Sequence, residues 1–222
     1  MASEKLFETS ALTREFRLSR SAPRLRALDG IDLAIDPGEF IVVRGPSGCG
    51  KTTLLLTLGG LRRPTAGQVQ FEARDLYALD EASRGVLRAG PIGFVFQEMH
   101  LLPYLGALAN VVLADTDGGS TSRAEELLQA LGLGERMHHR PAQLSAGERQ
   151  RVAVARALVR RPKVILADEP TGSLDPENAA IVLGQLRDFH RSGGTVLLVT
   201  HAESPAVPST ARSLHMAAGR LL

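Results

Sequence analysis

The sequence predicts an α/β fold built on a mainly parallel sheet, with a β-rich N-terminal part and a helical insertion near the middle. Three observations carry this reading. The apolar runs Lys163–Ala167 and Thr195–Thr200 have the continuous composition of strands buried on both faces. A stretch of helical periodicity at 177–191 lies between them. Residues Gly45, Pro46, Ser47, Gly48, Cys49, Gly50, Lys51 and Thr52 fit the phosphate-binding pattern G-x-x-x-x-G-K-[ST] at every position, between a short apolar strand and the opening of a helix.

In chain order, Leu6–Leu12, Ile31–Ile35, Phe40–Arg44 and Gln68–Phe71 read as strands. Turn signals punctuate them at Asp29-Gly30, Asp36-Pro37-Gly38 and Arg63–Gly67. Thr53–Leu58 opens the helix after the phosphate loop. Beyond residue 97 the character changes: Arg123–Leu131 and Gly147–Arg160 have helical periodicity, and Asp115–Ser122 reads as a surface loop. There is no internal repeat or low-complexity linker. The expected organisation is one domain over 1–222, with a core of 1–97 and 156–222 and a helical subdomain over about 98–155.

Bulk properties narrow the class. A chain of 222 residues with 44% hydrophobic content can build a sizeable core. A net charge of +2 is too weak to argue for nucleic acid or a membrane surface, whatever the sequence pI of 9.0 suggests. Cys49 is the only cysteine, which excludes an internal disulfide and fits a reducing compartment. Within the phosphate loop it reads as a small filler. No apolar run approaches the roughly 20 residues that span a bilayer. Met1–Glu8 carries acids early and lacks the apolar core of a secretory signal. The expectation is a soluble, cytoplasmic chain, so that any membrane role needs a separate subunit.

The chemistry gathers at strand ends. In open α/β sheets ligands bind outside the carboxyl ends of the strands. A Gly-rich turn there aims backbone N–H groups at one point, and the helix N-terminus adds its positive dipole end. Lys51 can reach β- and γ-phosphates, and the Thr52 hydroxyl can ligate Mg²⁺. The strand 163–167 runs into Asp168-Glu169, which suits a metal-facing carboxylate followed by a base for water; alone, the pair with Pro170 also reads as a turn. The strand 195–200 ends in His201. Ser145 and Glu148 form a capping box, S-x-x-E, at the start of the 147–160 helix. That is structural in itself, yet a capped N-terminus with Gly147 in its first turn can also hold an anion. A second phosphate element remote from the first suggests a nucleotide shared between two subunits.

These residues, in this order, resemble the ATP-binding cassette of ABC transporters over nearly the full chain. The carried motifs are Gly45–Thr52 with Thr53, Gln97 in Phe94-Val95-Phe96-Gln97, the signature Leu144–Gln150, Val164–Pro170, Ser173-Leu174-Asp175, and His201. The resemblance implies an N-terminal antiparallel β subdomain and an inserted helical subdomain on a phosphate-loop core. It implies an ATPase that closes as a head-to-tail homodimer, with ATP and Mg²⁺ between the phosphate loop of one subunit and Ser145 and Gly147 of the other. Asp168, Thr52 and Gln97 would attend the metal, Glu169 would be the base, His201 would meet the γ-phosphate, and Asp175 would couple the two sites. The family stacks adenine on a Tyr; the matching residue here is Phe16, which keeps the ring and loses the hydroxyl, while a core or hairpin Phe is the alternative. The basic segment Arg17–Arg26 reads as a solvated loop.

Gly93–Gln97 followed by Leu101-Leu102-Pro103 and Asn110-Val111 resembles the subgroup of lipoprotein-releasing, macrolide-exporting and cell-division ATPases. The implied partner is an integral membrane permease in two copies, touched through His100–Tyr104, with the chain peripheral on the inner face of the membrane and no nucleic acid bound. A cytosolic ATPase of this type acting on nucleic acid or the ribosome is the second reading, and an ATP-holding regulatory module the third.

Overall fold

The computed structural model describes residues 4–17, 24–115, 121–201 and 207–222. Two sheets organise it. The strands β1 (Phe7–Arg17), β2 (Arg24–Ile35), β4 (Ala66–Phe71) and β5 (Arg74–Asp75) form an antiparallel sheet in the order β2-β1-β4-β5. The second sheet runs β10 (Arg220–Leu221), β9 (Arg212–Ala217), β3 (Phe40–Arg44), β8 (Thr195–Val199), β7 (Val164–Asp168), β6 (Ile92–Val95). It is parallel from β9 to β6, and only β10 turns back.

All five residues of β7 and of β8 are buried, which is why their sequences show no polar alternation. Successive side chains instead divide between two cores. Phe40, Val42, Ile165, Ala167, Val196 and Leu198 face one, shared with the helices α3 (Ala107–Val112), α4 (Thr121–Ala130), α5 (Ala146–Leu158) and α6 (Pro176–Arg191). Ile41, Val43, Val164, Leu166, Leu197 and Val199 face the other, with Leu54, Leu55 and Leu58 of α1 (Lys51–Leu58) and the inner face of the antiparallel sheet. There Phe7 and Phe71 meet at a centroid distance of 4.9 Å. Helix α1 is thus fixed by burial on both sheets, and its N-terminus is fixed with it.

Several elements depart from the sequence expectation. The β-rich first 95 residues also hold α2 (Glu81–Ala89), a helix with no buried residue, defined by the Asp80 cap on the Ser83 N–H at 2.7 Å. Its Leu87 packs against the core while only partly buried, and the rest of the helix is largely polar or small, so the segment carries little apolar signal. The strands β1 and β2 run on past the expected ends, so Arg17 and Arg24–Arg26 belong to strands and not to a basic loop; 18–23 lie outside the described residues, as do 116–120 of the expected surface loop. The β9–β10 hairpin turns through Ala218 and Gly219, both at positive φ (46° and 82°), the conformation of a two-residue turn without the usual Asn-Gly signal. The expected subdomain boundary at 155/156 falls inside α5, whose last turns pack on β6: a Cβ at Gly93 would stand 2.7 Å from the Ala157 carbonyl oxygen.

Candidate active site

Four neighbouring parallel strands, β3, β8, β7 and β6, deliver their carboxyl ends to one edge of the sheet. The sequence identified three of these ends; β6, which runs into Gln97, is the fourth. The cleft above them has a volume of about 300 Å³ and is lined by Ser47, Gly48, Gly50, Lys51, Thr52, Thr53, Gln97 and Glu169, with Phe16, Leu25 and Ala27 at one end.

The phosphate loop leaves β3 through Gly45, which presses on the Met216 carbonyl so closely that no Cβ fits. Gly50, at φ 112°, enters α1 against the Ala27 carbonyl, and a side chain there would be both strained and overlapping. No side chain caps the first turn of α1, so its backbone N–H groups face the cleft. The Lys51 ammonium is buried, donating to the carbonyls of Gly45 (2.8 Å) and Pro46 (3.0 Å). Cys49 packs its side chain into the core and donates its N–H to the Pro46 carbonyl at 3.3 Å, as the filler reading expects.

Thr52 Oγ1 donates to Asp168 Oδ1 at 3.1 Å, joining the helix start to the end of β7. Burial pushes the Asp168 carboxyl above its ordinary value; the Thr52 hydroxyl draws it back, the Glu169 charge pushes it up and Lys51 lowers it. Two oxygens of this kind suit a hard divalent cation, which would favour the charged carboxylate that burial opposes. Glu169 takes φ 44°, uncommon for a non-glycine residue. Its N–H donates to the Val199 carbonyl at 2.9 Å, which pins it between the ends of β7 and β8, and its Oε2 lies 2.9 Å from His201 Nδ1.

The structure does not bring every expected site residue into this cleft. Ser145, Gly147 and Asp175 lie elsewhere, at the starts of α5 and α6. Ser145 Oγ accepts the Glu148 N–H at 3.1 Å and the Ser145 N–H donates to Glu148 Oε2 at 2.7 Å, completing the expected capping box. The backbone hydrogen bond from Ser145 holds the Glu148 carboxyl below its ordinary value. Asp175 caps α6 by accepting the Asn178 N–H at 2.9 Å, a bond that also lowers its carboxyl pKa. Phe16 lines the cleft, and the guanidiniums of Arg14 and Arg62 stand over its ring, 4.8 and 5.2 Å from the centroid.

Sequence reasoning missed the residues that hold the segment after β6. Gln150, 1% exposed, donates to the Phe96 carbonyl at 3.2 Å, and Arg156, two turns further along α5, donates to the carbonyls of Met99 and His100, each at 2.7 Å. Asn110 of α3 accepts the Leu102 N–H at 2.7 Å and donates to the carbonyls of Leu105 (3.0 Å) and Gly106 (3.1 Å). All of these bonds reach backbone groups, so no pairing of residue types betrays them in the sequence.

Fold and site together define a phosphate-loop, nucleotide-binding protein of the α/β class. Comparison with known proteins takes this further. The family model described as "ABC transporter" matches residues 28–172. The lipoprotein-releasing system ATP-binding protein LolD 2 of Caulobacter vibrioides is 49% identical over 183 residues, 80% of each chain. The macrolide export ATP-binding/permease protein MacB of Marinobacter nauticus is 45% identical over 228 residues, all of this chain but 35% of that one, so the present chain spans about a third of that relative. Among solved structures, the dimeric cassette MJ0796 in a post-hydrolysis state bound to ADP and Pi superposes with a TM-score of 0.89 at 34% identity, covering 97% of this chain and 96% of that one. The chain belongs to the ABC transporter family. Among the described residues, no helix is long and apolar enough to cross a membrane.

Proposed function

We propose that this chain is the ATP-hydrolysing subunit of a transporter, closing as a homodimer around two ATP molecules and driving a separate membrane permease from the cytoplasmic face. The observation that carries the reading is the separation of two phosphate-binding elements. The Lys51 loop and its acids share one cleft, whereas the capped Ser145 turn stands outside it. A single nucleotide can use both only if a second chain supplies the other half. The naming of relatives as lipoprotein-releasing and macrolide-export proteins supports transport over action on nucleic acid.

In this mechanism the phosphate loop N–H groups and Lys51 hold the triphosphate and meet the charge that develops on the transferred group. Thr52 and Asp168, with Gln97 beside them, would hold Mg²⁺, which supplies further charge neutralisation at the phosphate oxygens. Glu169 orients the attacking water and takes its proton; the contact with His201 Nδ1 holds the carboxylate in place. Phe16 offers the base a ring face. Ser145 and the start of α5 close on the nucleotide of the other chain. The exposed Tyr104 and Leu102, on a segment clamped by α5 and α3, form the permease contact.

The test is Glu169→Gln. The expected outcome is loss of turnover with ATP retained and an ATP-dependent dimer accumulated, read by steady-state hydrolysis and sedimentation. Hydrolysis at the parent rate overturns the assignment of the base, and a basal rate of zero in the unmutated chain favours a regulatory module.

A further inference from the structure

We propose that Asn178 is a positioning residue that ties the start of α5 to the start of α6, so that a ligand held at Ser145 acts on Glu169 of the same chain. The proposal rests on the two-chain reading above. Gly147 sits in the first turn of α5, is buried, and has no positive φ, so its backbone does not demand glycine. A Cβ there would stand 2.5 Å from both Cγ and Oδ1 of Asn178. The glycine is required because the Asn178 amide occupies that space.

The same amide continues the connection. Its Nδ2 donates to Asp175 Oδ2 at 2.6 Å, while the Asn178 backbone N–H donates to Asp175 Oδ1 at 2.9 Å. One carboxylate is thereby gripped by both oxygens. Upstream, the Leu174 N–H donates to the Thr171 carbonyl and the Gly172 N–H to the Glu169 carbonyl, each at 3.1 Å. Gly172 is also tight against Glu169: a Cβ there would be 3.3 Å from Oε2. Contacts therefore run without a gap from the Ser145 turn through Gly147, Asn178, Asp175 and the 171–174 turn to the carboxylate that faces His201. Packed elements of this kind shift together, and a ligand that moves one end biases the other. Nucleotide in the partner's half-site is in this way felt at this chain's own base.

A double-mutant cycle separates this packing role of Gly147 from direct anion binding. In the Glu169→Gln background, the ATP concentration needed for dimerisation is measured by sedimentation for the parent, Gly147→Ala, Asn178→Ala and the pair. Overpacking against Asn178 is expected to raise it about tenfold or more in Gly147→Ala. With Asn178 trimmed, the same Gly147→Ala change is expected to cost less than about threefold. An equal cost in both backgrounds overturns the proposal. With Glu169 intact, the isosteric Asn178→Asp keeps the packing but replaces the donor to Asp175 with a like charge. It is expected to bring the Hill coefficient of hydrolysis in ATP down to about one, with ATP affinity at low protein concentration within about twofold of the parent. An unchanged Hill coefficient, or a parent without cooperativity, overturns the coupling. A parent that never dimerises with ATP sinks the two-chain reading first, and the proposal with it.

Discussion

Asp168 shows how a single residue carries stability against function. It is 7% exposed, and burial raises its carboxyl pKa above 3.8. The folded chain then binds more protons than the unfolded chain just above that value. Stability therefore falls as pH rises through this window, and the loss persists at neutral pH. Asp168→Asn keeps an acceptor for Thr52 and removes the charge. The nucleotide-free variant is expected to melt higher than the parent at pH 7, with the gap narrowing as pH falls toward 4, while hydrolysis drops on the order of a hundredfold or more. Calorimetry at the two pH values, beside an ATPase assay, checks both. The sequence made Asp168, Glu169 and Lys51 legible because each sits at a strand end or inside a contiguous motif. It could not show the Glu169 backbone at φ 44° or its contact with His201, which depend on β7 and β8 being neighbours.

Helix α5 is the element in which structure and function overlap most. Its first turn is the capping box, and its middle and last turns hold the segment 96–100 through Gln150 and Arg156. Ser145→Ala removes the cap oxygen and is expected to cost about 1 kcal/mol in a denaturant melt. Part of that cap depends on ionised Glu148, whose pKa lies below 4.5. That contribution is present above 4.5 and lost as pH falls through the lowered value, but it runs through the Ser145 backbone N–H, which alanine keeps, so the Ser145→Ala penalty is expected to change little in acid. At the other end, the Arg156 fork serves two successive carbonyls, a geometry a lysine ammonium cannot match. Arg156→Lys is expected to weaken the clamp by about 1.5 kcal/mol, so that amides in 97–104 exchange roughly tenfold faster while those of β7 and β8 do not change. Periodicity and the S-x-x-E signal made α5 and its cap readable. The short strand β6, the helices α2 and α3 and the β9–β10 hairpin were not readable, because each is too short for its period to rise above background or lies against one core only.

At the scale of the whole molecule, the decisive property is incompleteness. The cleft holds a phosphate loop, Glu169 and an aromatic end, and the helix start suited to close over the triphosphate lies outside it. In the proposed arrangement, two copies related by a twofold axis would complete both sites at once, each giving its Ser145 turn to the other's Lys51 loop. This arrangement makes a prediction that no single-chain site can satisfy. Lys51→Ala and Ser145→Arg should each abolish hydrolysis as pure chains. Mixed, they form heterodimers in which one site carries both lesions and the other carries none. Random pairing puts about half of the dimers in this class, each with one intact site of two, so hydrolysis is expected to return to about a quarter of the parent rate if the sites act independently. Less than a quarter, but above either pure chain, marks cooperation between sites of the kind assigned to Asn178. No recovery at any mixing ratio, with both chains folded, would mean that Ser145 serves its own chain's nucleotide. The ATP sandwich would then have to be abandoned.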